Sequence, residues 1–355
     1  MKWSLRIGSI FGIPIKLHVT FILLLIFITV SGGARGELGR WIGLAFVLTV
    51  FGSVLLHELG HSMVAQLFNI QVKNITLLPI GGVAHIEQTP KDPWKELAIA
   101  VAGPATSFFL AGIFYLLAFM WDVPATIRGF GAGASFIGRL YAINLILGLF
   151  NLLPAFPMDG GRLLKGALGM WFHPLKATQI AVNIGQALAI AMFFVGIFYS
   201  WWLALIAVFI YIGAEGEERS QAMHMALRDV PVRTAMIQNI GLLRPDQTLS
   251  EAADLFCSSF QGDFPVVDKD RVVGIVTKDI LLEALHKRDA AMQVGEIMRR
   301  DFRVASDKME LAELLILMHE NDQTVIPILD NGKLMGLITL EQIGKYNMLC
   351  STRRS

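Results

Sequence analysis

Three ionisable side chains fall within one apolar stretch of the sequence, where His57, Glu58 and His61 belong to the run Ser53-Val-Leu-Leu-His-Glu-Leu-Gly-His. If the stretch is helical, the two histidines lie on one face, one turn apart, which is the spacing at which two imidazoles hold one metal ion. Ionisable residues at membrane depth are scarce and usually functional. The spacing therefore favours a metal site over two histidines that only pack between helices.

The run also fits the His-Glu-x-x-His pattern of zinc peptidases, in which the glutamate acts on a water molecule as a general base. A catalytic zinc ion takes three protein ligands, so a third ligand must lie elsewhere in the chain. Asp159 follows Pro154 and Pro157, which end an apolar helix, and precedes Gly160 and Gly161. Alone, Asp159 fits an interfacial turn equally well. Because the metal site needs an acid, we predict Asp159 as the third ligand, presented from irregular backbone that faces protein.

These two segments, His57-Glu-Leu-Gly-His61 and Asn151-x-x-Pro-x-x-Pro-x-Asp159-Gly, resemble the motifs of the site-2 protease family of intramembrane zinc metalloproteases. The resemblance implies that the two histidines and Asp159 bind zinc. It also implies that Glu58 is the general acid/base in the hydrolysis of a peptide bond inside or beside the membrane.

The resemblance extends to residues 11–18 and 78–84, so it covers most of residues 1–214. One departure is Met158, where Leu is commoner in the family. Because this exchange conserves side-chain volume, we expect it to leave activity intact.

Four further residues are candidates for contact with a substrate. Gly81 and Gly82 precede residues 83–86. This order predicts a turn followed by a short strand, and the strand is expected to pair with an extended substrate. A plain surface hairpin is the alternative. Asn144 and Asn151 are seven residues apart and share a helix face. Either could hydrogen-bond the substrate backbone or the oxyanion, and hydrogen bonding between helices is the alternative.

The composition points to lipid: 54% of the 355 residues are hydrophobic, only 17% are charged, and the mean hydropathy is +0.56. Residues 1–215 hold 13 basic and 8 acidic residues, whereas residues 216–355 hold 17 and 21. An apolar part and a soluble part are therefore joined near Ala214. The net charge of +1 gives no sign of nucleic-acid binding. With only Cys257 and Cys350, a disulfide framework is excluded and a reducing compartment is expected.

Apolar runs that could cross a bilayer fall at residues 15–33, 41–68, 95–120, 132–155 and 177–198, with a shorter one at 201–214. The last two could form one long helix, so five or six spans are expected. The N-terminus has no cleavage site for a signal peptide, so the first run is expected to be retained. The small residues of 103–107 most simply indicate close helix packing.

Basic residues in short loops are retained on the cytoplasmic side of a membrane. With six spans, nine of them share one side: Lys2, Arg6, Lys16, Lys73, Lys91, Lys95, Arg162, Lys165 and Lys176. The other side holds Arg35, Arg40 and Arg128, with Arg139 at a span end. The distribution predicts a multi-pass protein of the cell membrane, with the N-terminus and the soluble part in the cytoplasm.

The soluble part repeats itself at one constant offset, which is the spacing in sequence from Met236 to Met298. The other matching pairs are Leu249 and Leu311, Glu251 and Glu313, Pro265 and Pro327, Gly274 and Gly336, and Thr277 and Thr339. An ungapped repeat of this length predicts two copies of one supersecondary unit that pack against each other. Each copy resembles a CBS (cystathionine-β-synthase-type) domain.

The CBS resemblance implies an adenine nucleotide in the cleft between the copies, acting as a regulator. The family's acid, three residues after the strand-end threonine, is replaced by Ile280 and Gln342. Acids occur one residue earlier instead. The nucleotide candidates are therefore Thr277, Asp279, Thr339 and Glu341, and a purely structural or dimerising pair is the alternative.

The predicted fold is a polytopic α-helical membrane protein with about six transmembrane helices, followed by a soluble α/β tandem CBS pair. The predicted divisions are a protease domain at 1–214, a linker at 215–231, and CBS repeats at 232–290 and 291–350. The predicted function is that of a zinc intramembrane endopeptidase acting on membrane-anchored proteins. Its predicted partners are the substrate, the lipid bilayer, an adenine nucleotide and a second copy of the chain. A CBS-regulated channel or transporter, and an inactive relative that binds membrane segments, are the alternatives.

Overall fold

The computed structural model describes residues 4–31, 36–79, 81–86, 90, 92–125, 135–259, 261–286 and 292–354. Four of the basic residues counted for orientation, Lys2, Arg35, Lys91 and Arg128, lie outside this part of the chain. The chain divides into two compact units, Met1–Gln221 and Ala222–Ser355.

The first unit combines a small sheet with a group of helices. Its strands are β1 (Ser4–Ile10), β2 (Ile13–His18), β3 (Val72–Leu78) and β4 (Gly81–Ile86). Its helices are α1 (Val19–Ser31), α2 (Gly36–Leu67), α3 (Pro93–Met120), α4 (Phe136–Asn151), α5 (Asp159–Leu168), α6 (Pro174–Tyr199) and α7 (Trp201–Leu227), the last of which continues beyond residue 221.

The sheet has the strand order β1-β2-β3-β4, with β2 parallel to β3 and the outer pairs antiparallel. Ile13 and Ile15 are buried on one face of β2 and alternate with Pro14 and Lys16. This alternation corrects the first predicted span, because residues 15–18 belong to a strand and not to a membrane helix. The helix that follows, α1, has only 13 residues.

Three of the described helices are long and apolar enough to cross a membrane: Trp41–Leu67 within α2, Pro93–Met120 and Pro174–Tyr199. Two shorter apolar helices, Val19–Val30 and Phe136–Asn151, fall at other predicted spans. The helical character of this unit agrees with the prediction, while the count of about six spans stays a prediction.

The chain between residues 174 and 227 forms two helices, α6 and α7, which are separated at Ser200. A Cβ atom on Gly196 would lie 2.8 Å from the Cα atom of Ala204, although eight residues separate them. Eight residues of continuous helix would span about 12 Å. The chain therefore turns back on itself here, as the hairpin alternative requires.

The second unit contains two copies of one arrangement. The first copy has α8 (Leu249–Ser258), β5 (Asp263–Asp268), β6 (Arg271–Thr277) and α9 (Lys278–His286). The second begins with α10 (Val294–Ile297) and β7 (Ala305–Ser306) and continues with α11 (Leu311–Glu320), β8 (Val325–Asp330), β9 (Lys333–Thr339) and α12 (Leu340–Arg354).

Each copy is held to the other by a backbone pairing. Ile237 exchanges two backbone hydrogen bonds with Leu337 of β9. At the equivalent positions of the repeat, Arg299 does the same with Ile275 of β6. Ile275, Val325 and Leu337 form a shared buried cluster. The repeat in the sequence is thus a repeat in the structure.

Candidate metal centre

In both histidines of α2, the Nε2 atom points towards one common position. The Nε2 atoms of His57 and His61 are 3.3 Å apart, and the residues are only 4% and 5% exposed. Their spacing of four residues on a continuous helix brings the rings together, as the sequence predicted.

Asp159 reaches the same point from α5. Its Oδ2 atom lies 3.1 Å from Nε2 of His57 and 3.0 Å from Nε2 of His61. Asp159 is the first residue of α5, preceded by the N-cap Met158, so the expectation of irregular backbone at this residue is corrected. A carboxylate in the first turn is favoured by the helix dipole.

The glycines after Asp159 let α5 begin directly against the turn before it. A Cβ atom on Gly161 would lie 2.7 Å from the backbone carbon of Ala155, closer than real Cβ atoms approach. Glycine is therefore required at position 161 because two backbone segments lie in close contact there.

Helix α3 orients both imidazoles through their other nitrogen. Nδ1 of His61 donates to the backbone carbonyl of Ile99 at 2.6 Å, and Nδ1 of His57 lies 2.8 Å from Oγ of Ser107. The carbonyl, which can only accept, fixes the tautomer of His61 and leaves its Nε2 with a free lone pair for a metal ion, while the hydroxyl of Ser107 orients the ring of His57. Ser107 was missed in the sequence, because its partner is 50 residues away and no local spacing marks it.

Gly103 of α3 lies against the ligand atoms themselves. A Cβ atom at this position would lie 2.6 Å from Nε2 of His57 and would collide with Nε2 of His61. The small residues of 103–107 were interpreted as helix packing. The structure adds that Gly103 and Ser107, one turn apart, both face the candidate metal site.

The three donor atoms fit a zinc ion. One ligand atom each from His57, His61 and Asp159 lies within 4.8 Å of the others, and the measured separations are 3.0–3.3 Å. Ligands on a tetrahedron with bonds of about 2.0 Å are about 3.3 Å apart, and two imidazoles with one carboxylate form a usual zinc set that leaves a fourth position open.

Glu58 follows His57 in α2 and lies against strand β4 of the sheet. It is half-buried, and a Cβ atom on Gly82 would lie only 2.5 Å from its Cγ atom. Gly82 belongs to β4, which is an edge strand among the described strands. The neighbouring Gly81 has a φ of +144°, a conformation that favours glycine. The structure therefore brings Glu58 beside the strand that was predicted to receive a substrate.

The two asparagines of α4 differ in how many of their side-chain N–H groups are already used in hydrogen bonds. Asn144 is fully buried, and its Nδ2 donates to Oγ of Ser53 and to the carbonyl of Leu140. It thus joins α4 to α2, as the interhelical alternative predicted. Nδ2 of the half-buried Asn151 donates to the carbonyl of Leu147 and keeps a second hydrogen.

The nucleotide candidates of the second unit occupy equivalent places in the two copies. Oγ1 of Thr277 accepts from the backbone N–H of Ile280, and Oγ1 of Thr339 accepts from that of Gln342. Both hydroxyls therefore bond the start of a helix.

The acids beside these threonines differ between the copies. Glu341 is exposed and bonds Lys345, whose hydrogen bond and charge lower the pKa of the glutamate. Asp279 instead lies near Asp263, where burial and the charge of Asp279 raise the pKa of the Asp263 carboxyl. The second copy has no counterpart to this pair of acids, because the position equivalent to Asp263 is Val325.

Comparison with known proteins identifies the protein families that this chain matches. Residues 45–136 and 130–192 match peptidase family M50, and residues 228–287 and 294–346 match the CBS domain. The chain is 35% identical over 344 residues to a zinc metalloprotease of Methanocaldococcus jannaschii, covering 97% of this chain and 96% of that protein. It is 36% identical over 112 residues to the stage IV sporulation protein FB of Bacillus subtilis, covering 31% of this chain and 36% of that protein.

Among solved structures, the site-2 protease from Methanocaldococcus jannaschii shares 40% sequence identity with the chain. It covers 61% of this chain and 95% of its own, with a TM-score of 0.45.

The matches define a metal-dependent peptidase joined to a pair of CBS domains. The chain belongs to peptidase family M50, and the enzyme class predicted from its motifs, a zinc metalloprotease, is confirmed. The resemblance of the second part to CBS domains is confirmed as well.

Proposed function

We propose that the protein hydrolyses peptide bonds in or next to the transmembrane segments of membrane-anchored proteins. The observation that carries this proposal is the meeting of His57, His61 and Asp159 at one buried point, with Glu58 beside it. The three donors come from two helices separated by about 100 residues of sequence, which chance packing of ionisable groups in an apolar unit does not explain.

In this proposal His57, His61 and Asp159 hold the zinc ion. A zinc ion bound there supplies Lewis acidity, polarising the scissile carbonyl and acidifying a water molecule. Glu58 accepts the proton from the attacking water and later delivers it to the leaving amine. Ser107 and Ile99 keep both imidazoles oriented during the cycle.

The substrate must enter as an extended chain, because a helix hides its carbonyl groups in its own hydrogen bonds. The outer edge of β4 offers a row of backbone groups for such a chain. Gly82 of this strand packs against the Glu58 side chain, so a substrate paired with the outer edge of β4 would lie near the proposed general base, and the space beside Gly81 is open. Asn151 keeps one N–H for the substrate carbonyl or the oxyanion, whereas Asn144 acts mainly by joining helices.

The proposed location is the cell membrane, with several spans and with the N-terminus and CBS pair in the cytoplasm. The excess of basic residues on one side of the predicted spans supports this orientation. Exposed tryptophans at helix ends support the embedding, since Trp41, Trp94, Trp121 and Trp201 are each 61–65% exposed. Tryptophan is enriched at both interfaces of a bilayer.

The CBS pair is proposed to bind an adenine nucleotide and so to regulate cleavage, with Thr277, Asp279, Thr339 and Glu341 as contacts. The proposed divisions remain a protease domain at 1–214, a linker at 215–231 and repeats at 232–290 and 291–350, and self-association through the repeats is part of the proposal. Titration of the full-length protein with ATP and AMP, combined with sedimentation, tests these points. If the protein binds neither nucleotide and sediments as a monomer, the repeats have a structural role instead.

The central test compares wild type with Glu58→Gln in detergent, using a model membrane-anchored substrate and measuring zinc on both. We expect about one zinc per chain in both proteins and cleavage by the wild type alone. The glutamine keeps the shape of Glu58 but cannot take the proton, so kcat should fall at least a thousandfold, at the upper end of about 10²–10⁴ for a general base.

His57→Ala is the matched variant, since it should lose zinc and cleavage together. Normal cleavage by Glu58→Gln would contradict the assigned role. Zinc-free wild type that takes up no zinc would contradict the metal site.

A further inference from the structure

A buried ion pair joins α5 to α3 a short distance from the candidate metal centre. Nζ of Lys165 lies 2.8 Å from Oε1 of Glu96, and the two side chains are only 7% and 13% exposed. The other ion pairs between Lys or Arg and a carboxylate that the structure describes are largely exposed. In the pair of Arg219 with Glu215, for example, the side chains are 79% and 45% exposed. The buried pair is therefore unusual.

Stability alone is a weak reason for such a pair. Removing two charges from water costs several kcal/mol for each ion, and apolar side chains of similar volume often hold a fold as well. Breaking the pair on one side would leave an uncompensated charge in an apolar unit. A buried pair between two helices is therefore better explained by what it keeps in register.

On one side the pair fixes the helix that carries the third ligand. Lys165 follows Asp159 by six residues, about 9 Å along α5. Helix α5 has only ten residues, and its glycines touch the start of α3: a Cβ atom on Gly166 would lie 3.2 Å from the carbonyl oxygen of Pro93. The charged link adds a directional contact to this close backbone packing, and so specifies which turns of α5 and α3 lie opposite each other.

On the other side the pair fixes the helix that orients both histidines. Glu96 precedes Ile99 by one helical turn, and Ile99 supplies the carbonyl that accepts from His61. Ser107, which holds His57, lies further along the same helix. The link between Lys165 and Glu96 thus ties the helix of the carboxylate ligand to the helix that orients the imidazole ligands.

We propose that Lys165 and Glu96 are positioning residues, which hold Asp159 at the distance from His57 and His61 that retains zinc. The proposal rests on the proposed function, since it assumes that these three residues bind the metal. Neither Lys165 nor Glu96 touches the ligand atoms in the described contacts, so their effect passes through α5 and α3.

The test measures zinc loss from full-length protein in detergent to an excess of chelator, together with kcat and KM. In Glu96→Gln the side chain keeps its size and a hydrogen-bond acceptor but loses its charge. We expect zinc to leave about ten times faster than from wild type, as for other groups that support metal ligands. We also expect kcat to fall at unchanged KM, because the substrate is received by β4 and not by α5.

Lys165→Met removes the same link from the other side and should give the same result. The exchanged pair, Glu96→Lys with Lys165→Glu, should return zinc retention towards wild type, which loss of fold would not do. The matched control is Glu215→Gln, which breaks the exposed pair with Arg219 in the same unit and should change neither rate.

Wild-type rates of zinc loss and wild-type kcat in both single variants, even with a lowered melting temperature, would overturn the proposal and leave the metal site intact. Should a single variant fail to accumulate, the exchanged pair decides: slow zinc loss supports the proposal and fast loss overturns it. Wild type without zinc would instead overturn the proposed function, and this inference with it.

Discussion

The two units of this chain bury polar side chains in opposite ways. In the first unit, ligand atoms from α2 and α5 converge on one point while α3 contacts the other nitrogen of each imidazole, and these contacts do not recur among the described residues. In the second unit, a polar contact to the backbone is present at equivalent positions of both copies of the repeat. Oε1 of Gln261 accepts from the N–H of Gly241, and Oε1 of Gln323 accepts from that of Arg303.

This difference distinguishes the polar contacts that serve the proposed chemistry from those that stabilise the fold. A contact that a duplicated unit keeps in both copies serves what the copies share, which is the fold. A set of polar groups that meets once, from helices distant in sequence, serves something that the fold alone does not need. The expected effects of mutation differ accordingly, and each prediction below tests that division.

The largest effect is expected at Gly103. In Gly103→Ala the new methyl group occupies the space between the imidazole nitrogens, so we expect zinc content to fall from about one per chain to near zero and cleavage to vanish. Gly112→Ala is the control on the same helix, because nothing lies within 4 Å of the added atom there. Stoichiometric zinc in Gly103→Ala, measured by metal analysis, would break the comparison.

A smaller effect is expected at Ser107. Ser107→Ala removes the oxygen that fixes His57, and we expect zinc affinity to fall about ten- to a hundredfold with the fold unchanged. Competition with a chelator of known affinity measures it. Thr106→Val is a control on the same helix, since its hydroxyl bonds only the carbonyl of Ala102 in the described contacts.

In the second unit the expected effect is on stability alone. Gln323→Leu leaves the N–H of Arg303 without its partner, at a cost of about 1–3 kcal/mol in the free energy of unfolding of this unit. Gln261→Leu should cost a similar amount in the other copy. Hydrogen exchange in increasing urea would measure both, and a change in zinc content would show that the units are not divided as proposed.

The smallest effect is the pH dependence of stability that Asp263 contributes in the first copy. Burial raises the pKa of Asp263 above its ordinary value of 3.8, and the charge of Asp279 raises it further. The folded state therefore keeps this proton to higher pH than the unfolded state, and stability falls as pH rises from 3.8 through the folded pKa. Asp263→Asn should equal wild type below that window and exceed it above.

Asp279→Asn provides the internal check, because removing that charge should lower the pKa of Asp263 and narrow the window. Urea unfolding across a pH series measures both variants. An unchanged pH profile in Asp263→Asn would place the source of the dependence elsewhere.

Sequence reasoning reached the parts of this structure that local spacing specifies. The spacing of His57 and His61 is a property of one helix, and the repeat in the soluble part is visible without any structure. Ser107, Gly103 and the pair of Lys165 with Glu96 act across helices, so no spacing within one element marks them.

Strands β1, β2 and β3 of the small sheet were missed for a different reason, whereas β4 includes the short strand predicted at residues 83–86. Hydropathy counts apolar residues without regard to their period, so Ile15 and Leu17, which continue the alternation that begins at Ile13, were included in the span predicted at residues 15–33. The period of two was the available sign of a strand. Helices α6 and α7 were left as alternatives because the apolar run between them is almost continuous.

The separation of 102 residues between His57 and Asp159 also orders events in time. While the chain is being synthesised, α2 and α3 are complete before α5 exists, so the nascent protein contains two imidazoles and no carboxylate to close the site. Three-ligand metal binding can begin only after α5 has been made and has packed against α3. In the proposed mechanism the nascent protein therefore cannot cleave a substrate before α5 has been made, at a point where α6 and α7 are still to be added.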